Sequence, residues 1–196
     1  MMQLFPTNKK YILASNSPRR KQLLADMGIS FQTRLKEIAE DYPAELPKEK
    51  VATYLSEKKA AAYLPELSDN EVLITADTTV VLDNALLEKS ANEQEAFEML
   101  KKISGRTHLV ITGVTIASLE KKVTFAVTTK VSFKVLSDEI IRYYVEQYKP
   151  FDKAGSYGVQ ELIGMVGISK IDGSYFNVMG LPTAELFEEL QLFLSE

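Results

Sequence analysis

The stretch Tyr11-Ile12-Leu13-Ala14-Ser15-Asn16-Ser17-Pro18-Arg19-Arg20-Lys21-Gln22-Leu23-Leu24 constrains the fold more than any other part of the chain. A short apolar run, Ile12 to Ala14, meets small polar residues, then a proline, then two arginines. Ser17 suits a helix N-cap and Pro18 the first helical position, where its missing N–H costs nothing. Leu23, Leu24 and Met27 recur on one face, and Gly28 can end the helix. The segment reads strand, tight polar turn, helix start, with Arg19 and Arg20 in the first turn. That placement runs against the helix dipole, which favours cations at the other end. The two arginines are either solvated surface cations or partners of an anion, on which free N–H groups and guanidinium forks would converge.

The chain has 196 residues, ample for a real core, and is expected to form one domain over its whole length. Its net charge of -4 argues against a nucleic-acid-coating role, which needs a basic face. No cysteine occurs, which excludes a disulfide framework, a thiol nucleophile and a thiolate metal site, and fits a reducing compartment. The opening Met-Met-Gln-Leu-Phe-Pro lacks the charged region and long apolar core of a signal peptide. No apolar run approaches the roughly 20 residues of a membrane span. A cytoplasmic protein without membrane or nucleic-acid partners is the expectation.

Beyond Gly28, a second strand is expected over Ile29 to Leu35, then a polar loop to Pro47 that carries Glu37, Glu40 and Asp41. Helical spacing over Lys48 to Leu64 ends near Lys58-Lys59, where a cation already has a structural explanation in the helix dipole. Glu71 to Ala76 reads as a buried strand delivering Asp77-Thr78-Thr79, followed by a turn at Asp83-Asn84. An aspartate there is either a turn-former or a site residue, since ligands of open α/β sheets bind beyond the carboxyl ends of strands. Ser90 and Glu93 have capping-box spacing for a helix over Ala91 to Ile103. Strands are expected over Leu109 to Leu119 and Val123 to Val135, and a helix capped by Ser137 over Asp138 to Tyr148. His108, the only histidine, has no second histidine to pair with and reads as structural. Asp152-Lys153-Ala154-Gly155-Ser156-Tyr157-Gly158-Val159-Gln160 is a second dense polar stretch whose glycines permit close backbone approach to a ligand. Met165 to Ile171 reads as a strand, and Thr183 to Leu194 as a final amphipathic helix.

Taken together these stretches resemble the Maf family of nucleoside triphosphate pyrophosphatases along nearly the whole chain. The family's Leu-Ala-Ser-x-Ser-Pro-Arg-Arg is similar to Leu13 to Arg20, and its Leu-Ala-x-x-Lys-Ala to Leu55 to Ala60. Ala76-Asp77-Thr78-Thr79-Val80 resembles its central motif, and Asp152 to Gln160 its Asp-Lys-Ala-Gly-x-Tyr-Gly-Ile-Gln. Departures occur at Ser90, where the family's Leu-x-Lys-Pro has proline, at Tyr148-Lys149-Pro150, where Gly-Glu-Pro is usual, and at Glu161, where Gly is usual.

The resemblance implies a mixed α/β fold: an elongated twisted sheet with flanking helices and a nucleotide cleft between two lobes, similar to the inosine triphosphate pyrophosphatases. It also implies a homodimer. It implies Asp77 as general base, Glu40 and Asp77 as metal ligands, and Ser15, Arg19, Arg20, Lys59, Thr78, Lys89, Lys153 and Gln160 as substrate-binding. With no cysteine and one histidine, a metal would be held by carboxylate oxygens, which means Mg²⁺ or Mn²⁺. No P-loop or Rossmann glycine pattern occurs. Residues tied to substrate choice in the family align with Arg19, Thr78 and Gln160. Thr and Gln there accompany cleavage of dTTP and UTP, whereas Gln and Glu accompany 7-methyl-GTP. A 7-methyl-GTP pyrophosphatase and a non-catalytic or dual-role nucleotide-binding regulator of cell division are the other readings; a non-catalytic form should lack Asp77 or the basic set, both of which are present.

Overall fold

The computed structural model describes residues 4–195, so Met1, Met2 and Gln3 of the opening stretch lie outside the described residues. Strand β1 (Lys10–Leu13) runs parallel to both β2 (Phe31–Thr33) and β3 (Glu71–Leu82). Parallel neighbours require crossovers. Helix α1 (Pro18–Asp26) lies on the connection from β1 to β2, and α2 (Val51–Tyr63) on the connection from β2 to β3. Gly28, with φ of 76°, lets the chain leave α1, its N–H bonding to the Ala25 carbonyl at 2.8 Å. β4 (Ala85–Leu86) turns back antiparallel on β3 through Asp83 and Asn84, whose φ values of 49° and 61° are those of a tight hairpin turn.

The remaining elements are α3 (Glu93–Ile103), β5 (Thr107–Ala117), β6 (Lys122–Phe133), α4 (Asp138–Tyr148), α5 (Leu162–Gly167), β7 (Ile168–Asp172), α6 (Tyr175–Met179) and α7 (Thr183–Ser195). The seven strands form one mixed sheet in the order β2-β1-β3-β5-β6-β7, with β4 beside β3. β7 is antiparallel to β6, with a shift of register at Ser132/Phe133. This is the expected mixed α/β class. No described helix is long and apolar enough to cross a membrane.

Three local expectations are corrected. Met165 to Ile171 is not one strand, because α5 extends to Gly167 and β7 starts at Ile168. Tertiary packing overrides the apolar run: a Cβ on Gly164 would lie 2.1 Å from the Val159 carbonyl oxygen, and one on Gly167 would lie 2.9 Å from Leu136. The cap of α3 is Asn92, not Ser90; its side chain accepts the Glu95 N–H at 3.0 Å, and Glu95 accepts the Ala91 N–H at 2.7 Å. Asp77 does not end β3 but sits inside it, since β3 continues to Leu82. Its pairing with β1, however, stops at Leu13–Ile74, so Asp77 still lies just past the carboxyl end of the parallel part.

Two compact units emerge from the packing, the first of Met1–Asp77, Thr112–Val127 and Gly180–Glu196, the second of Thr78–Ile111 and Thr128–Met179. In the first, Ile12, Ala60, Tyr63, Leu67, Leu73 and Ala117 form a buried cluster. Helix α2 lies so close to β5 that a Cβ on Gly113 would meet the Ala52–Thr53 backbone at 2.5 Å. Hydroxyls pin it there: Thr75 donates to the Ser56 carbonyl at 2.7 Å, and Ser56 Oγ lies 3.0 Å from Thr115 Oγ1. The second unit buries Leu100, Ile103, Val131, Ile141, Tyr144 and Ile163 among others.

Candidate active site

The rungs between α2 and β3 place the first catalytic candidate. Residues two apart on a strand share a face, and residues three apart on a helix are neighbours. Thr75 bonds to Ser56, and one rung further Lys59 Nζ donates to Asp77 Oδ1 at 2.5 Å. The same ammonium donates to Glu40 Oε1 at 2.8 Å. One lysine thus joins a buried strand aspartate to a half-exposed loop glutamate. Lys58, its sequence neighbour, pairs instead with the exposed Asp41 at 2.6 Å. Among the described residues no three His, Cys, Asp or Glu side chains gather as a metal site.

The turn between β1 and α1 brings Arg19 and Arg20 to this unit. Ser17 caps α1 by accepting the Arg20 N–H, and Ser15 Oγ accepts the Ser17 N–H at 3.2 Å. Arg20 spans the turn: its Nη1 donates to Ser15 Oγ at 3.4 Å and its Nε to the Gly180 carbonyl at 2.7 Å. Burial lowers the Arg20 guanidinium pKa, Asp77 opposes that, Arg19 adds to it, and Glu40 opposes it. Arg20 therefore feels the charge of the other three. The first unit brings Ser15, Arg19, Arg20, Glu40, Lys59 and Asp77 together.

In the second unit the segments that carry Lys89 and Lys153 are laced by their backbones. The Gly155 N–H reaches the Leu87 and Glu88 carbonyls at 3.1 and 3.3 Å, which binds the segment before Lys89 to the segment after Lys153. Ser156 Oγ donates to the buried Ser90 Oγ at 3.0 Å and continues the seam. Gly155, with φ of 70°, makes the turn possible, and its Cα faces Val80 closely enough that a Cβ would lie 3.3 Å from it. Lys153 is buried, and its ammonium meets Asp152 Oδ1 at 2.9 Å and Glu161 Oε1 at 3.2 Å. Gln160 follows on the turn Gly158 to Glu161, closed by the Glu161 N–H on the Gly158 carbonyl at 3.0 Å. Its Oε1 is buried with no hydrogen-bond partner. Thr78 comes directly after Asp77 on β3 and, by strand alternation, faces the opposite side of the sheet.

Beneath this turn His108 and Tyr157 sit edge to face, with Nε2 and the phenol oxygen 2.7 Å apart. Burial lowers the His108 pKa to about 4 and raises the Tyr157 phenol, so both are neutral near pH 7. His108 is a buried packing residue. Sequence reasoning did not single out Tyr144, whose hydroxyl accepts the Gly158 N–H at 3.0 Å and donates to Glu161 Oε2. The one signal for it was a tyrosine in the apolar stripe of α4, beside Ile141 and Val145.

The pattern that a family model describes as Maf-like protein matches residues 10–193. A protein of Phocaeicola vulgatus named dTTP/UTP pyrophosphatase is 51% identical over 183 residues, covering 93% of this chain and 95% of its own. One of the same name from Porphyromonas gingivalis is 50% identical over 190 residues, covering 94% and 96%. Among solved structures, the Ham1 protein of Staphylococcus aureus is similar at 16% identity and a TM-score of 0.43, covering 92% of this chain and all of that one. On the family match and on identity of this extent, the chain belongs to the Maf family.

Proposed function

We propose that this chain is a nucleoside triphosphate pyrophosphatase that prefers dTTP and UTP, releasing the nucleoside monophosphate and pyrophosphate. The observation that carries the reading is Asp77, buried at the carboxyl end of the parallel strands, bonded to a lysine and within the field of the helix-start Arg20. Relatives that align over almost the whole chain carry the same activity in their names.

In this scheme Asp77 takes a proton from a water, whose oxygen forms a bond to the α-phosphorus. The bond from that phosphorus to the α,β-bridging oxygen breaks, and pyrophosphate leaves with the electron pair. Arg19 and Arg20, with the N–H groups of the first turn of α1, hold phosphate oxygens. Lys89 and Lys153 are assigned to the same polyanion. Glu40 and Asp77 would hold a Mg²⁺ or Mn²⁺ ion. Two carboxylates completed by substrate phosphates and water are the usual donor set for Mg²⁺. Their shared bonding to the Lys59 ammonium is evidence that the pair accommodates a cation. The ion supplies Lewis-acid neutralisation of phosphate charge.

Gln160 is assigned to the base. Its buried, unmatched Oε1 is an acceptor for a single N–H donor such as N3–H of thymine or uracil, while the amide NH₂ answers a neighbouring carbonyl. Guanine presents two adjacent donors and suits a carboxylate better. One bidentate match of this kind discriminates by roughly 1–3 kcal/mol. The reading includes a cytoplasmic location and a homodimer. The test is a panel of dTTP, UTP, CTP, ATP, GTP and 7-methyl-GTP with Mg²⁺, read as pyrophosphate and as orthophosphate. Pyrophosphate from dTTP and UTP, less from CTP and little from purines, is expected. A panel led by a purine, or orthophosphate as the product, overturns the assignment.

A further inference from the structure

The turn that presents Gln160 is held from one side by a single buried hydroxyl. Tyr144, fully buried on α4, accepts the N–H of Gly158, the first residue of the turn, at 3.0 Å. The same hydroxyl donates to the carboxylate of Glu161, the last residue of the turn. The turn's own bond, Glu161 N–H to the Gly158 carbonyl at 3.0 Å, closes the ring. Gln160 is carried between the two anchored ends.

Three neighbours lock the arrangement. Tyr148 stacks on the Tyr144 ring at 4.9 Å between centroids and 27° between planes, which fixes where the hydroxyl points. The second oxygen of Glu161 receives the Lys153 ammonium at 3.2 Å. Gly158 leaves room for the carboxylate, because a Cβ there would lie 2.6–2.9 Å from its three atoms. Burial and the Glu161 carboxylate both raise the Tyr144 phenol pKa, so it remains a donor. Tyr148 and Glu161 are two of the positions where this chain departs from the family pattern, and Tyr144 connects them.

We propose that the Tyr144 hydroxyl and the Glu161 carboxylate form a clamp that fixes the Gln160 turn and thereby sets base selectivity. Both are positioning residues, acting through Gln160 rather than touching the base. A glutamine amide discriminates only while its donor and acceptor are aimed, and a turn free to rock by a few tenths of an ångström aims them poorly. The inference rests on Gln160 reading the base, so the experiment tests the two separately.

The measurement is kcat/KM for UTP and for GTP, taken as a ratio, in the wild type and in Gln160→Ala, Tyr144→Phe, Glu161→Ala and Glu161→Gln. Gln160→Ala, Tyr144→Phe and Glu161→Ala are each expected to lower the UTP-over-GTP ratio by about tenfold, the lower end of what one bidentate contact supplies. Glu161→Gln retains an oxygen for the Tyr144 hydroxyl and is expected to keep the ratio within about twofold. It removes the charge that holds Lys153, so it should raise KM for both nucleotides alike. Loss of packing alone would lower activity on both substrates and leave the ratio unmoved. If Gln160→Ala keeps the ratio, the Gln160 assignment fails and the clamp with it. If Gln160→Ala collapses the ratio while Tyr144→Phe and Glu161→Ala do not, the clamp alone is overturned. Should Tyr144→Phe fail to fold, the contrast between Glu161→Ala and Glu161→Gln decides.

Discussion

Acid should destabilise this protein through one residue well before its carboxylates respond. His108 is the chain's only histidine and is 1% exposed. Burial lowers its pKa from 6.5 to about 4. In the unfolded chain it takes up a proton near pH 6.5, whereas in the folded protein it does not until about pH 4. The unfolded state therefore binds more protons between those values, and stability falls as pH falls through them. From about pH 7.5 to about pH 5 the linkage amounts to about 2 kcal/mol, a large part of a marginal total. Carboxylates held below their ordinary values, Glu71 by Arg34 and Asp41 by Lys58, contribute stability that is lost only at lower pH. The assay is urea unfolding at a series of pH values, followed by circular dichroism because the chain has no tryptophan. His108→Gln keeps a hydrogen-bonding group for Tyr157 but cannot titrate. It should be less stable than the wild type at neutral pH and show a much flatter dependence over this window. Equal losses in both proteins between about pH 7.5 and about pH 5 would refute the argument.

Three further outcomes are expected. Asp77→Asn should fold and bind nucleotide yet lose about 10²–10⁴-fold in pyrophosphate release, and near-normal turnover would remove Asp77 from its role. EDTA should abolish pyrophosphate release and Mg²⁺ or Mn²⁺ restore it, while the urea unfolding curve stays unchanged; full activity in excess chelator would remove the metal from the scheme. Gly113→Ala should shift the urea midpoint by the equivalent of about 1–3 kcal/mol, because its Cβ meets the α2 backbone at 2.5 Å rather than a flexible side chain; an unshifted midpoint would show that α2 can withdraw at no cost.

What the sequence makes legible follows the range of the forces involved. Helix α4 is readable to the residue because its determinants are local: Ser137 caps Ile140 at 3.4 Å, acidic residues fill the first turn, and apolar residues recur on one side. Helix α3 misleads by two residues because Ser90-x-x-Glu93 and Asn92-x-x-Glu95 carry the same capping pattern in overlapping frames. Only the packing around Ser90, which is buried against Ser156, decides between them. Helix α5 is hidden, since its shape depends on the Val159 carbonyl and on Leu136 and Phe133, contacts that no window of sequence contains. At the site, motif resemblance selects Lys59 over Lys58, but that one ammonium joins Glu40 and Asp77 is visible only in three dimensions. Tyr144 and Glu161 lie 17 positions apart, and neither belongs to a motif.

The departures from the family pattern suggest how such a site tolerates change. Where a proline would stiffen the chain after Lys89, Ser90 receives a hydrogen bond from Ser156, and a backbone constraint is replaced by a cross-link of about 0.5–1.5 kcal/mol. The residue at Ser156 has its own φ of 57°, so the two serines also hold a turn that glycine would make freely. Lys149 stands in the left-handed region with φ of 43° at the end of α4, and its N–H closes on the Val145 carbonyl at 3.0 Å. Lysine there costs roughly 1–2 kcal/mol more than glycine would. Tyr148, just before it, is the last residue of α4 and stacks on Tyr144. At Tyr148 and Glu161, where Gly is usual, the replacement adds a side chain that packs on Tyr144 or bonds to Tyr144 and Lys153. Such contacts are directional where backbone stiffness is not. Changes outside the motifs can therefore retune the motif residues without altering any of them.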